Sequence, residues 1–245
     1  MKKVLIHQPY KYGDFINLIP MAQKLKNLGY QVVFPHSRHT QDLVEYLEGI
    51  ETFEIGPTDI STSKKYCLEN DAILVDCQFS DNYNSLCTVH GGNLFIEEIK
   101  YYVAEDILKC GLKYEEKYNL VWNRNYEREE KLKKILKIGD NEKYSISHLV
   151  GDNGRFGKIP DEFTSTKIIE VKRINGFSLF DWFPIIMNAE NIFTIQSSVQ
   201  CFVDCIKKQL KHKNFFLLND SVEKDRLLVP AYDWNTSYFV NKRLR

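Results

Sequence analysis

Short apolar runs alternate with helical stripes along this chain. Lys3-Val4-Leu5-Ile6 has the continuous apolar character of a buried strand. From Phe15 to Leu28 the apolar residues Phe15, Ile16, Ile19, Ala22, Leu25 and Leu28 recur near helical spacing, and Gly29 stops that helix. Gln31-Val32-Val33-Phe34 predicts a second strand, Thr40 to Leu47 a helix, Thr52 to Ile55 a strand, and Asp71 to Val75 a buried strand ending at Asp76. Leu94 to Leu108 predicts a helix closed by Gly111. After Tyr118 the pattern restarts: helix at Glu127 to Leu136, strand at Tyr144 to Val150, strand at Lys167 to Val171, helix at Leu179 to Asn188, strand at Asn191 to Ile195, helix at Ser198 to Leu210, and a last strand at Phe215 to Leu218. Strands alternating with helices predict an α/β fold with parallel sheets covered by helices. Two halves follow, 1–118 and 119–245, without an obvious sequence repeat.

Composition narrows the class. With 245 residues, 43% of them hydrophobic and 27% charged, the chain carries enough apolar material for a real core and is not a disordered tail. Lys+Arg and Asp+Glu balance at 33 each, so net charge gives no support to a nucleic-acid partner. The balance hides an asymmetry: residues 1–118 carry a net −5 and residues 119–245 a net +5, which suits an anionic ligand held by the second half. No apolar run approaches the ~20 residues of a transmembrane helix. Only three apolar residues precede His7, too few for a signal peptide. The six cysteines form no CxxC pair, so neither a zinc site nor a disulfide framework is expected; free thiols suit a reducing cytoplasm.

Four stretches carry candidate chemistry. In the first, the strand at Val4-Leu5-Ile6 runs through a loop into Gly13-Asp14 at a helix start, and loops at the carboxyl ends of parallel strands are where such sheets bind ligands. An ordinary N-cap is the structural alternative for Asp14. In the second, the strand before Asp76-Cys77-Gln78 also ends in polar groups. The third, Ser147 to Pro160, is a glycine loop (Gly151, Gly154, Gly157) with Arg155 and Lys158 beside it, able to wrap phosphate oxygens but lacking both the Walker and the GxGxxG patterns. The fourth leads from a strand into Gln196-Ser197-Ser198 at a helix start, where free N–H groups, hydroxyls and the helix dipole suit an anion; a serine N-cap without ligand is the alternative.

Taken in order, these stretches resemble the heptosyltransferase-like glycosyltransferases of family 9, which have the GT-B fold. The resemblance rests on Gly13-Asp14-Phe15-Ile16-Asn17-Leu18-Ile19-Pro20, on Asp76-Cys77-Gln78 for a strand-end "D-x-Q", and on Ile107-Leu108-Lys109-Cys110-Gly111-Leu112 for the helix before the second domain. Lys158-Ile159-Pro160 matches a "K-x-P", and Ser178-Leu179-Phe180-Asp181, Ala189 and Gln196-Ser197-Ser198 echo a final "sl-x-d … A … DSG". Gln196 stands where the family usually has Asp, and Cys201 where it has His. The stretch from Pro160 to Lys167 is short for the family, which implies a reduced C-terminal domain. The Thr194-Ile195-Gln196-Ser197-Ser198 turn is also similar to the donor-binding turn of GDP-fucose transferases.

The resemblance implies two Rossmann-like domains with a cleft between them: an acceptor-side domain at 1–118 and a nucleotide-sugar-binding domain at 119–245. It implies transfer of a sugar from a nucleoside diphosphate sugar to a hydroxyl of a glycan or other acceptor, with Asp14 as general base. The donor would be bound by Gly151, Arg155, Lys158, Gln196, Ser197 and Ser198, and the acceptor by Gly13, Asp76, Gln78 and His90. No metal and no cofactor beyond the donor substrate are implied, and the location implied is cytoplasmic. A sugar-nucleotide epimerase or hydrolase of the same fold, and a non-catalytic sugar-nucleotide- or glycan-binding protein, are the rival classes. His90-Gly91-Gly92-Asn93 reads equally as a capped turn. His7 at a strand end reads as a core or supporting histidine, and the terminal Lys242-Arg243-Leu244-Arg245 as a solvated tail.

Overall fold

A computed structural model describes residues 1–78, 96–151, 157–210 and 214–218, together with Asp81 and Ser85. The chain divides into two compact units, Met1–Trp122 and a second beginning at Asn123. The division lies a little beyond Tyr118. The segment after Tyr118 belongs to the first unit because Gln23 on its first helix holds both the N–H and the C=O of Val121.

The first unit is built on a parallel sheet of order β2-β1-β3, with β1 at Lys3–His7, β2 at Gln31–Val33 and β3 at Ala72–Asp76. Central β1 is paired on both sides and reads as uninterrupted apolar sequence; Val4, Leu5 and Ile6 are fully buried. Helix α1, Tyr12–Asn27, buries Phe15, Ile16, Leu18, Ile19, Ala22 and Leu25, and Phe15 stacks on Phe34 at 4.2 Å between ring centroids. Gly29, with φ of 88°, turns the chain out of α1. The predicted helix at Thr40 to Leu47 is a 3-10 helix, Gln41–Tyr46. The predicted strand at Thr52 to Ile55 forms only isolated bridges, Val33 to Glu51 and His36 to Glu54. A helix that the apolar pattern does not announce, α2 at Ile60–Asn70, crosses to β3; it buries Ser63 and Cys67, half-buries Ile60 and Tyr66, the latter packed against the cluster of Leu5, Val33 and Cys67, and leaves its other positions exposed. Its start is signed by Asp59, whose carboxylate accepts from Thr62 N–H at 3.0 Å. Helix α3, Ile96–Leu108, packs against α1 and β3.

The second unit carries a parallel sheet of order β5-β4-β6-β7: β4 at Tyr144–His148, β5 at Lys167–Glu170, β6 at Asn191–Thr194 and β7 at Asn214–Leu217. Helix α4, Tyr126–Ile135, opens this unit, with Asn125 capping Arg128 N–H at 3.1 Å. The predicted helix at Leu179 to Asn188 is split into a 3-10 turn, Leu179–Trp182, and a short α5, Phe183–Asn188, because Pro184 can sit only in a first helical turn. Ser178 and Asp181 form a capping box there, and Arg128 of α4 meets the buried Asp181 at 3.0 Å. Helix α6, Ser198–Ile206, is buried from Val199 onward. Between Pro160 and β5 the chain makes only a 3-10 turn, Asp161–Phe163. No described helix is long and apolar enough to cross a membrane.

Candidate functional site

In the first unit the loops at the carboxyl edge of the sheet are tied to one another. The Ser37 hydroxyl donates to Pro9 C=O at 2.5 Å, and Tyr12 OH donates to Asp42 at 2.7 Å. Both contacts hold the β1–α1 loop against the segment after β2. Gly13 is the second residue of α1. Asp14 stands in its first turn, where the helix dipole favours a carboxylate. It is not the N-cap. That position belongs to Lys11, with φ of 64°, and no side chain caps the helix there. The Asp14 carboxylate turns instead to a lysine: Lys100 Nζ on α3 lies 3.2 Å from Oδ2, with the lysine side chain 3% exposed and the aspartate 20%.

The ground beneath Asp14 is polar and closed. Asn17, one turn along α1, donates to Glu97 Oε1 at 3.3 Å, and Tyr101 OH donates to Asn17 C=O at 3.1 Å. Burial pushes the Glu97 carboxyl up to about 7; the Lys117 charge pulls it down and the Asp14 charge adds to the rise. Glu97 Oε2 is buried without a hydrogen-bond partner. Lys117 is itself fully buried, over the rings of Tyr114 and Tyr118 at 5.4 and 5.9 Å.

Asp76 ends β3 beside His7, and its Oδ1 accepts from Gln78 N–H at 2.9 Å; burial raises its pKa. Gln78 reaches across to donate to Pro57 C=O at 2.9 Å. Pro57 belongs to the wall of an open cavity of about 370 Å3, lined by Arg38, His39, Glu54, Ile55, Gly56 and Pro57. His7 is buried and bonded to Ser63 Oγ at 2.9 Å; burial holds it down to about 4, so it is a neutral part of the core. Burial pushes the Cys77 thiol up to about 12, which leaves no reactive thiolate. His90 lies outside the described residues.

In the second unit, Gly151 follows β4, and Arg155 lies outside the described residues. Gly157 N–H donates to Leu149 C=O at 3.0 Å, bringing the chain back beside β4. A Cβ at Gly157 would stand 2.6 Å from Leu218 C=O, so glycine is required by space and not by φ. Lys158 is 80% exposed and meets Asp161 at 3.3 Å. Gln196 is buried. Ser197 is the N-cap residue of α6 in extended backbone, but its side chain caps no N–H; the hydroxyl lies 3.3 Å from Thr194 Oγ1. Ser198 is the first residue of α6 and half-buried. Gly13, Asp14, Asp76 and Gln78 thus lie toward the carboxyl edge of the first sheet, and Gly151, Lys158 and the Gln196-Ser197-Ser198 turn toward that of the second.

This arrangement of parallel sheets has a counterpart among solved structures. Over 83% of this chain and 79% of its own, a family 9 glycosyltransferase from Veillonella parvula is similar in structure, with a TM-score of 0.52 and 11% sequence identity. The chain has the fold of a family 9 glycosyltransferase. The heptosyltransferase WaaC of E. coli, solved with ADP, matches over 83% of this chain and 84% of its own, with a TM-score of 0.44 and 10% identity. No protein-family profile matches the sequence, and no curated protein sequence matches it.

Sequence reasoning missed Lys100, Glu97 and Lys117. A signal was present: Glu97, Lys100 and Tyr101 share one face of the predicted Leu94 to Leu108 helix, among Ile99, Val103 and Ala104. Charged residues in such a helix read as its wet side until a partner helix is placed over them.

Proposed function

We propose that the protein is a glycosyltransferase that moves a sugar from a nucleoside diphosphate sugar to an acceptor hydroxyl. The observation that carries this reading is the place of Asp14 within a family 9 fold. It lies in the first turn of α1, after the central strand, with its carboxylate partly exposed and gripped from below by Lys100. In the proposed step Asp14 takes the proton of the acceptor hydroxyl as the oxygen forms its bond to the sugar carbon. The bond from that carbon to the diphosphate breaks, and the nucleoside diphosphate leaves. A positioned base of this kind is worth roughly 10²–10⁴-fold in rate.

The second unit is the proposed donor side. The N–H groups opening α6 have no side-chain cap from Ser197, so they and the two serine hydroxyls are suited to phosphate oxygens. Lys158 supplies a charge for the leaving diphosphate. Its ion pair with Asp161 is exposed, worth at most about 1 kcal/mol, and exchanges readily for a phosphate. Gly151 and Arg155 complete the proposed donor loop, and Gly13, Asp76, Gln78 and His90 the proposed acceptor side. No metal ion is needed for this division of roles.

The test begins with melting curves in ADP, GDP, UDP and CDP. A bound nucleotide at 100 times its dissociation constant adds about 2.7 kcal/mol of stability. The matching sugar nucleotide is then presented with an array of glycan acceptors, and nucleoside diphosphate release is followed. Asp14→Asn is expected to lower turnover by at least ~10²-fold at unchanged donor binding. Sugar released at the same rate without acceptor points to a hydrolase, and nucleotide binding without turnover to a binding protein.

A further inference from the structure

Asp14 and Asn17 are one turn apart on α1, and Glu97, Lys100 and Tyr101 share one face of α3. Asn17 is held twice, by Glu97 Oε1 at 3.3 Å and by Tyr101 OH at 3.1 Å. Those two bonds set the register of α3 against α1, and in that register Lys100 arrives at Asp14. We propose that Lys100 is the positioning residue of Asp14. Its ammonium comes through the interior of the unit, holds Oδ2, and leaves Oδ1 directed to the acceptor hydroxyl. The inference rests on the reading of Asp14 as general base.

The burial pattern favours this role over a merely structural one. Lys100 is 3% exposed and Asp14 20%, so the cation lies beneath the carboxylate and the carboxylate opens outward. Exchanging both members of a buried ion pair for apolar residues is commonly neutral or stabilising, although removing one member alone is destabilising. Stability therefore does not by itself explain the charge. What it adds is direction, because a carboxylate on a single rotatable arm is locked once one oxygen is held. The other nearby cation, Lys117, is engaged elsewhere, with Tyr114 OH at 3.2 Å and two aromatic rings. Misplacing a reacting group by about 1 Å costs on the order of 10²-fold in rate.

The test is a double-mutant cycle between Asp14→Asn and Lys100→Met, read as nucleoside diphosphate release from the sugar nucleotide and acceptor chosen above. Lys100→Met is expected to lower kcat by about ten- to hundredfold with donor KM unchanged. Lys100→Arg, which keeps a cation, recovers most of that loss. In the Asp14→Asn background, Lys100→Met has less than about a twofold effect, because a group acting through Asp14 has nothing left to act on. Melting temperatures establish that each variant is folded at the assay temperature. Should Lys100→Met be too unstable, Lys100→Gln takes its place in the cycle. A native kcat in the Lys100 variant, or a loss that recurs in full on top of Asp14→Asn, overturns the proposal. Native turnover in Asp14→Asn alone overturns the base itself, and that result is visible without any Lys100 variant.

Discussion

Replacing Glu97 by glutamine makes permanent a neutral state that the fold prefers. Burial raises this carboxyl from 4.5 to about 7, against the pull of Lys117. A group with a raised folded pKa contributes stability that is complete below its unfolded value and lost as pH rises through the folded one. The native protein therefore loses stability from Glu97 between pH 4.5 and about 7. At about 1.4 kcal/mol per pH unit, the whole loss is roughly 3 kcal/mol. His7 runs the other way. Its pKa falls from 6.5 to about 4, so its contribution is present above 6.5 and lost as pH falls toward 4. The two slopes oppose each other over most of this range, and the native curve is flattened by their cancellation. Glu97→Gln removes one slope. The stability of the variant relative to native is then expected to rise by about 3 kcal/mol between pH 4 and 7.5, or about 10 °C in melting temperature for a unit of this size. His7→Asn is expected to tilt the curve in the opposite sense. The assay is thermal unfolding by circular dichroism at half-unit pH steps. Parallel native and Glu97→Gln profiles from pH 4 to 8 would refute the argument, because they would mean that Glu97 titrates alike in the folded and unfolded chains.

Gly157→Ala is expected to lower the melting temperature measurably, since its Cβ would stand 2.6 Å from Leu218 C=O and 3.0 Å from Ile195 Cγ2; a native melting curve would show that the chain just after β7 yields without cost. Under the proposed donor placement, Lys158→Ala weakens nucleoside diphosphate binding and turnover together, measured by calorimetry and product release. Ser198→Asp is expected to abolish nucleotide binding by repulsion while the fold stays intact, because a carboxylate in the first turn of α6 suits the helix dipole. Unaltered binding in that variant would move the donor away from this turn.

The sequence by itself determined the alternation of strands and helices, hence the parallel sheets, and it determined which loops lie at their carboxyl edges. These features are local. An apolar run such as Val4-Leu5-Ile6 must be buried on both faces, and a stripe such as Phe15, Ile16, Ile19 and Ala22 must face a layer. The place of Asp14 at a helix start after the first strand was legible for the same reason, whereas the central position of that strand was not. Tertiary structure decided what each polar side chain meets. Thr52 to Ile55 has strand-like composition, but it has only isolated bridges to pair with. The start of α2 was written in Asp59, yet Ile60, Tyr66 and Cys67 are too few to make an apolar stripe on a mostly exposed helix. The necessity of glycine at position 157 comes from Leu218, far along the chain. Lys100 and Glu97 show the limit most clearly. In sequence they are charges on a helix; in the fold they are buried beneath Asp14 and beside Asn17, eighty or more residues away. A charge goes into the interior only where a partner compensates its lost hydration, and that partner is chosen by the packing of one helix on another.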